Sequence, residues 1–131
     1  VDTLKYLKKG GRLTPAAAAV GTVLNLKPVL RIKGEKLDAF SKTRGWKAAK
    51  KAMIDAILQT IARDFPDCRG PEDLHLAAAF TGEAESAQEW LPELEEAFPG
   101  YPIHMDPLSL SVACHIGPGA RAVTVTRALR I

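Results

Sequence analysis

The chain has 131 residues, of which 47% are hydrophobic and 25% are charged, and its mean hydropathy is close to zero. This composition is typical of a soluble globular domain and excludes collagen-like, disordered and disulfide-dense proteins. No apolar run approaches the ~20 residues of a membrane-spanning helix, and no signal peptide precedes Pro15. Cys68 and Cys114 are too few for a disulfide framework and have no CxxC spacing, so without a secretion signal we expect reduced thiols and a cytoplasmic protein. His75 and His104 have no ligand-like spacing to His115, so no metal site is expected.

The charge is divided unevenly along the chain. Residues 1–51 contain 13 Lys and Arg against 3 Asp and Glu, whereas residues 52–111 contain 2 against 12. The basic part indicates an anionic partner, such as a phosphate, a carboxylate or an acidic protein face. A solvated basic hairpin balanced by acidic helices would give the same counts. Nucleic acid is disfavoured, because the basic stretch has few aromatic residues and no known binding motif.

The first half of the chain predicts helices on both sides of a β-hairpin. In order, the predicted elements are helix Leu4–Lys9, helix Thr14–Leu24, strand Leu26–Ile32, strand Lys36–Thr43 and helix Gly45–Arg63. Two glycines end the first helix, and Thr14 with Pro15 begins the second. Pro28 marks an edge or bulged position in the first strand. Apolar residues between Trp46 and Ile61 recur on one stripe of the long helix.

The second half predicts strands and one further long helix. In order, these are strand Leu74–Phe80, helix Glu83–Phe98 and strands Tyr101–Met105, Leu108–His115 and Ala120–Thr126. Pro92 should kink or split the helix. The elements together indicate an α/β fold with α+β-like layers, in which a mixed, largely antiparallel sheet of about six strands carries helices mainly on one face. We expect a single domain over residues 1–131. Because an initiator Met is missing, Val1 is either a processed end or, as we expect, a cut through a longer protein.

Two glycine-containing segments are candidate binding sites. Lys8–Arg12 is a basic turn that lets a ligand approach the backbone, although a glycine helix stop with favourable cations explains the same residues. The Gly117–Gly119 turn should leave His115 at an open strand end, where it either hydrogen-bonds an anionic oxygen or serves a structural role. Cys114 is expected in the core, because adjacent strand residues point to opposite faces.

A third candidate lies between the second hairpin strand and the long helix. Ser41–Lys47 places several cations at a helix N-terminus, where the macrodipole is unfavourable to them. This arrangement indicates an external anion or acidic partner, or else a solvated basic cluster.

These motifs together resemble the C-terminal half of DegV-type proteins. The resemblance runs from about Leu4 to Val125 and rests on four ordered motifs: Tyr6–Arg12, Leu26–Leu30, Gly34 with Lys42 and Arg44, and His115–Ala120. It implies a six-stranded mixed sheet with helices, preceded in the family by an N-terminal α/β domain that this chain lacks. Family members bind one long-chain fatty acid where the two domains meet. Many present its carboxylate to a separate ATP-binding kinase subunit, which makes the acyl-phosphate.

The resemblance also implies roles for single residues. Arg12 and His115 match residues of the polar network around the carboxylate, and Gly117 and Gly119 belong to the same HxGPG motif as His115. Arg44 matches an arginine that docks the kinase, and Lys42 and Lys47 lie beside it in the sequence. The implied protein is the lipid-binding, non-catalytic subunit of a bacterial fatty acid kinase, with no cofactor other than its bound fatty acid.

Two other classes of function remain open on sequence alone. Related dihydroxyacetone kinase substrate subunits bond a small ketone covalently through a histidine, which here would be His115. A protein-interaction domain without any ligand is the remaining class.

Overall fold

The computed structural model of the chain describes residues 1–11, 26–33 and 36–129. These residues form, in order, α1 (Lys5–Lys9), β1 (Leu26–Lys33), β2 (Lys36–Arg44), α2 (Gly45–Asp64), β3 (Leu74–Phe80), α3 (Ala84–Gln88), α4 (Leu91–Ala97), β4 (Ile103–Pro107), α5 (Leu110–Ile116) and β5 (Arg121–Arg127). The mixed α/β class is therefore confirmed. The helix predicted over Thr14–Leu24, the turn at Gly34 and the candidate residue Arg12 lie outside the described residues.

β3 is the central strand of a three-stranded sheet in the order β4-β3-β5. It runs parallel to β4 and antiparallel to β5. Its side chains alternate, so that Leu74, Leu76, Ala78 and Phe80 are buried while His75 is exposed. This alternation is typical of a strand with one face on the core, and it agrees with helices packed mainly on one side.

The core lies between that face of the sheet and the helices. Its buried members are Leu76, Ala78, Trp90, Leu94, Phe98 and Ile103, and the α2 residues Met53, Ile54, Ile57 and Ile61 pack against them. Each large apolar side chain buried here contributes about 1.5–3 kcal/mol relative to exposure. The apolar stripe predicted for the long helix is thus the stripe that meets the core.

The predicted break in the acidic helix is confirmed. The segment forms two short helices, α3 and α4, and Pro92 lies in the first turn of α4. A proline is tolerated there because the backbone N–H that it lacks would have no partner within the helix.

β1 and β2 form a separate antiparallel hairpin, with a register shift between Val29 and Leu30 beside Pro28. The bulge predicted at this proline is therefore confirmed. The Thr43 hydroxyl donates to the Lys27 carbonyl oxygen at 2.6 Å and ties the two strands together near the base of the hairpin. α2 packs against β1, β2 and β5, and so connects the hairpin to the three-stranded sheet.

The strand predicted over Leu108–His115 is wrong. The Leu108 N–H still donates to the Phe80 carbonyl at 2.8 Å, but the chain then turns into helix α5. None of the α5 residues is buried, and Cys114 is exposed instead of lying in the core. Leu108, Leu110 and Val112 alternate with polar or small residues in the sequence, but the side chains of α5 do not face the core. The described residues consequently form five strands in two sheets, not about six in one.

Candidate functional site

Helices α1 and α5 pack together and join the two glycine motifs, which are more than one hundred residues apart in the sequence. His115 lies in the last turn of α5, half-buried, and not at the end of a strand as predicted. A Cβ atom built on Gly10 would lie 3.1 Å from the His115 Nδ1 atom. The absence of a side chain at Gly10 therefore lets the imidazole rest against the end of α1.

Gly117, which follows α5, packs just as closely on α1. Its φ is +78°, and a Cβ atom there would lie 2.3 Å from Cδ2 of Tyr6. The backbone conformation and the overlying Tyr6 ring both require glycine at this position. The turn after His115 is thus shaped by the first helix.

Thr81, which the sequence analysis did not single out, fastens this turn to the sheet. Its side chain is buried at the end of β3. The Thr81 hydroxyl donates to the Gly117 carbonyl at 2.6 Å and accepts from the Ala120 N–H at 3.0 Å. The only signal in the sequence is a polar residue directly after a buried strand.

The glycine N–H groups of both motifs are already used within the protein. Gly10 and Gly11 donate to the Tyr6 and Lys8 carbonyls, which confirms that the glycines end the first helix. Gly117 donates to the Ala113 carbonyl at 2.8 Å, and Gly119 donates to the Thr81 carbonyl at 2.9 Å. Side chains, not backbone N–H groups, are therefore the donors available to an anion here.

Exposed apolar side chains lie on both α5 and α1. Within α5, Leu110 is 80% exposed and Val112 42%, and Tyr6 of α1 is 38% exposed. An imidazole beside such side chains can hold a polar head while the apolar residues contact a hydrocarbon tail.

The basic junction lies at the N-terminus of α2. Lys42, Arg44 and Lys47 are all exposed, and no ion pair to another described residue is formed by any of them. The cations expected to face an external partner are therefore accessible.

Trp46, at the start of α2, lies between two cations. Lys27 Nζ is 5.6 Å from the centre of its ring, and the Arg121 guanidinium is 5.8 Å from it. Arg121 also donates to the Ala120 carbonyl and the Ser86 hydroxyl, each at 3.0 Å. Partial burial lowers the pKa of Arg121. This arginine, which sequence reasoning did not assign to a site, connects the junction to the turn after His115.

Residues 1–128 match the family described as uncharacterised proteins of the DegV family. The chain belongs to the DegV family. A DegV domain-containing protein of Streptomyces coelicolor is 34% identical over 130 residues, covering 96% of this chain and 42% of that protein. The chain thus spans about two fifths of the length of this relative.

Solved DegV structures share the fold. A fatty-acid-binding DegV family protein from Thermus thermophilus superimposes with a TM-score of 0.77 at 29% identity, covering 98% of this chain and 44% of that one. DegV of Bacillus subtilis, described as a fatty acid binding protein, superimposes with a TM-score of 0.66 at 27% identity, covering 95% of this chain and 42% of that one.

The DegV site predicted from the motifs divides into two groups. His115, Gly117 and Gly119 lie in one segment against α1, whereas Lys42, Arg44 and Lys47 lie at the junction of β2 and α2. Among residues 1–11, 26–33 and 36–129, no helix is long and apolar enough to cross a membrane, and no cluster of metal-ligating side chains occurs.

Proposed function

We propose that this chain forms one wall of a cytoplasmic long-chain fatty-acid site, with Arg12 and His115 binding the carboxylate. The observation that carries this proposal is the contact between Gly10 and His115, which joins the two motifs at a helix that exposes the apolar side chains of Leu110 and Val112. The fatty-acid binding described for the Thermus thermophilus and Bacillus subtilis proteins supports the class of ligand.

The proposed chemistry divides the ligand into a polar head and an apolar tail. His115 and Arg12 donate charge-assisted hydrogen bonds to the carboxylate, each worth about 1.5–3 kcal/mol. Gly117 and Gly119 contribute a compact turn in which only Pro118 has a side chain, and they do not donate to the carboxylate because their N–H groups are already bonded. The exposed apolar residues of α5 contact the acyl chain, which gains about 0.8 kcal/mol per buried methylene.

We further propose that the chain is a non-catalytic subunit. Phosphoryl transfer to a carboxylate requires positioning and charge stabilisation more than a protein nucleophile. A separate ATP-binding kinase subunit would provide both the nucleotide and the catalytic groups. Arg44, with Lys42 and Lys47, would dock the acidic face of that subunit, because these cations are exposed and form no ion pair with the described residues.

The test is binding of palmitate to the native polypeptide that contains this chain, measured by calorimetry, together with mass analysis of extracted lipid. Arg12→Ala and His115→Ala should each weaken binding by about ten- to one-hundred-fold without unfolding the protein. His75→Ala is the matched control. His75 is exposed near the start of β3, six residues before Thr81, which places it about 20 Å along the strand from the turn that Thr81 holds.

Other outcomes would replace the proposal. If both variants bind palmitate as tightly as the parent protein, Arg12 and His115 do not belong to the site. A covalent ketone adduct on His115 would favour the dihydroxyacetone kinase type of chemistry. The absence of any ligand would favour a protein-interaction domain.

A further inference from the structure

We propose that Thr81 is a positioning residue for the carboxylate site, an inference that rests on the proposed function. Thr81 directly follows the central strand β3, and it is only 5% exposed, so it cannot itself contact a ligand. Its hydroxyl bonds two points of the turn after His115, as donor to the Gly117 carbonyl and as acceptor from the Ala120 N–H. Both hydrogen-bonding capacities of a buried hydroxyl are thus used on one short segment.

The main chain of Thr81 strengthens the same connection. Its carbonyl accepts from the Gly119 N–H at 2.9 Å, and its N–H donates to the Ala120 carbonyl at 3.1 Å. Four hydrogen bonds therefore join one residue of the rigid sheet to Gly117, Gly119 and Ala120. The neighbouring Gly82 completes the fit, because a Cβ atom there would lie 3.1 Å from the Gly119 nitrogen.

This connection fixes His115 through the last turn of α5. The Gly117 N–H closes that turn by donating to the Ala113 carbonyl, while the Gly117 carbonyl is held by Thr81. Gly117 therefore links the helix that carries His115 to the sheet. Without the hydroxyl, the Gly117 carbonyl and the Ala120 N–H would lose buried partners, and the turn would shift to regain them from water.

The two obvious substitutions at Thr81 separate the hydroxyl from the shape of the side chain. Thr81→Ser retains the hydroxyl, whereas Thr81→Val retains the shape and removes the hydroxyl. Thr60→Val is the matched control, because the Thr60 hydroxyl is also partly buried and donates to a backbone carbonyl, that of Ala56 at 2.8 Å, within α2. If Thr81→Val does not fold, Thr81→Ala leaves room for water and allows the same measurements.

The experiment compares palmitate with hexadecanol, which has the same chain length but no carboxylate, on the native polypeptide that contains this chain. A positioning role predicts that Thr81→Val weakens palmitate binding by about ten-fold, equivalent to about 1.4 kcal/mol, and hexadecanol binding by less than about two-fold. Thr81→Ser and Thr60→Val should bind both ligands like the parent. Equal losses for the two ligands, or unchanged palmitate binding in Thr81→Val, would overturn the proposal.

A ligand-free measurement separates this inference from the proposed function. The NMR signals of the His115 imidazole should move in Thr81→Val but not in Thr81→Ser or Thr60→Val. If the parent protein binds neither ligand, the proposed function fails, and the His115 signals alone decide whether Thr81 positions the ring. Unmoved signals in Thr81→Val would overturn the positioning role.

Discussion

At the scale of single residues, the site depends on side chains that are missing as much as on those present. Gly10 leaves room for the His115 imidazole, and Gly117 leaves room for the Tyr6 ring. The two glycines differ in one respect, because Gly10 has an ordinary helical φ of −79° whereas Gly117 has a φ of +78°. At position 10, glycine is therefore needed only for the close approach of His115. At position 117, it is needed both for the close approach of the Tyr6 ring and for the backbone conformation.

Gly10→Ala should move His115 while leaving the fold intact. The new methyl group would lie 3.1 Å from the His115 Nδ1 atom, which requires a displacement of a few tenths of an ångström, and the backbone at Gly10 accepts alanine. We expect the free energy of unfolding to change by less than about 1 kcal/mol and palmitate to bind about three- to ten-fold more weakly. Calorimetry checks the affinity, and thermal unfolding checks the fold.

Gly70→Ala is the control for this substitution. Gly70 has nothing within 4 Å of its added Cβ and an ordinary φ, so the same chemical change is made in open space. Equal palmitate affinity in Gly10→Ala and the parent would show that the contact between residue 10 and His115 does not matter for binding.

At the level of secondary-structure elements, the proposed function depends on how α1 packs against α5. The two helices are short, with five and seven residues, and isolated helices of this length are unstable in water. Their positions are therefore held by tertiary contacts, which include the packing of the Tyr6 ring on Gly117 and the hydrogen bonds of Thr81.

Gly117→Ala should destabilise the protein more than the same change at another glycine of positive φ. Gly100 has a φ of +84° and nothing within 4 Å of its added Cβ, whereas at Gly117 the Cβ would meet the Tyr6 ring at 2.3 Å. Gly100→Ala should cost about 1–2 kcal/mol of backbone strain alone. Gly117→Ala should lower the free energy of unfolding by roughly 1–3 kcal/mol more than Gly100→Ala does, because its methyl group also displaces the Tyr6 ring. Denaturant unfolding measures both losses. Equal losses would mean that α1 is not held on Gly117.

At the scale of the whole molecule, the proposed carboxylate site and the proposed docking surface lie on different elements. His115 lies on α5, and Arg44 lies at the junction of β2 and α2. The two functions should therefore respond separately to substitution, as expected of a subunit that holds a ligand for a partner.

Arg44→Glu should leave palmitate binding unchanged and reduce acyl-phosphate formation with the partner kinase. Because Arg44 is exposed, the substitution reverses a charge at the docking surface without disturbing the core, and the loss should grow as the salt concentration falls. Arg69→Glu is the matched control, since Arg69 is exposed and lies beyond the opposite end of the 20-residue α2, about 30 Å away. Unchanged turnover of Arg44→Glu at low salt would remove Arg44 from the docking surface.

The 131-residue chain alone should bind long-chain fatty acid poorly. An acyl chain of about 14 methylenes gains about 11 kcal/mol when fully buried, but α5 offers only one exposed apolar surface, with Leu110 80% exposed. In our proposal, the remaining wall of the site is formed by the part of the longer DegV proteins that this chain does not cover. Calorimetry of the isolated chain with palmitate checks this, and one-to-one binding below 1 μM, roughly a gain of 8 kcal/mol, would contradict it.

The elements that could be predicted from the sequence are those with a sustained apolar pattern or a clear turn residue, whose side chains also reach the core. The hairpin with its bulge beside Pro28, the long helix α2, the alternating strand β3 and the split at Pro92 were all predicted, because local backbone preferences and burial agree there. The pairing of the two glycine motifs was predicted only through the family resemblance, since no local pattern brings residues 10 and 115 together.

The conformation of α5 and the contacts of Thr81 depend on tertiary structure and could not be predicted from local sequence. Leu108–His115 was predicted as a strand, but none of the α5 residues is buried, so packing against the core does not hold this segment in an extended conformation. A polar residue directly after a buried strand is too weak a signal to identify Thr81, because its proposed role depends on hydrogen bonds to residues 36 and 39 positions away. Contacts between distant segments are set by how whole elements pack, and periodicity along the chain carries no information about them.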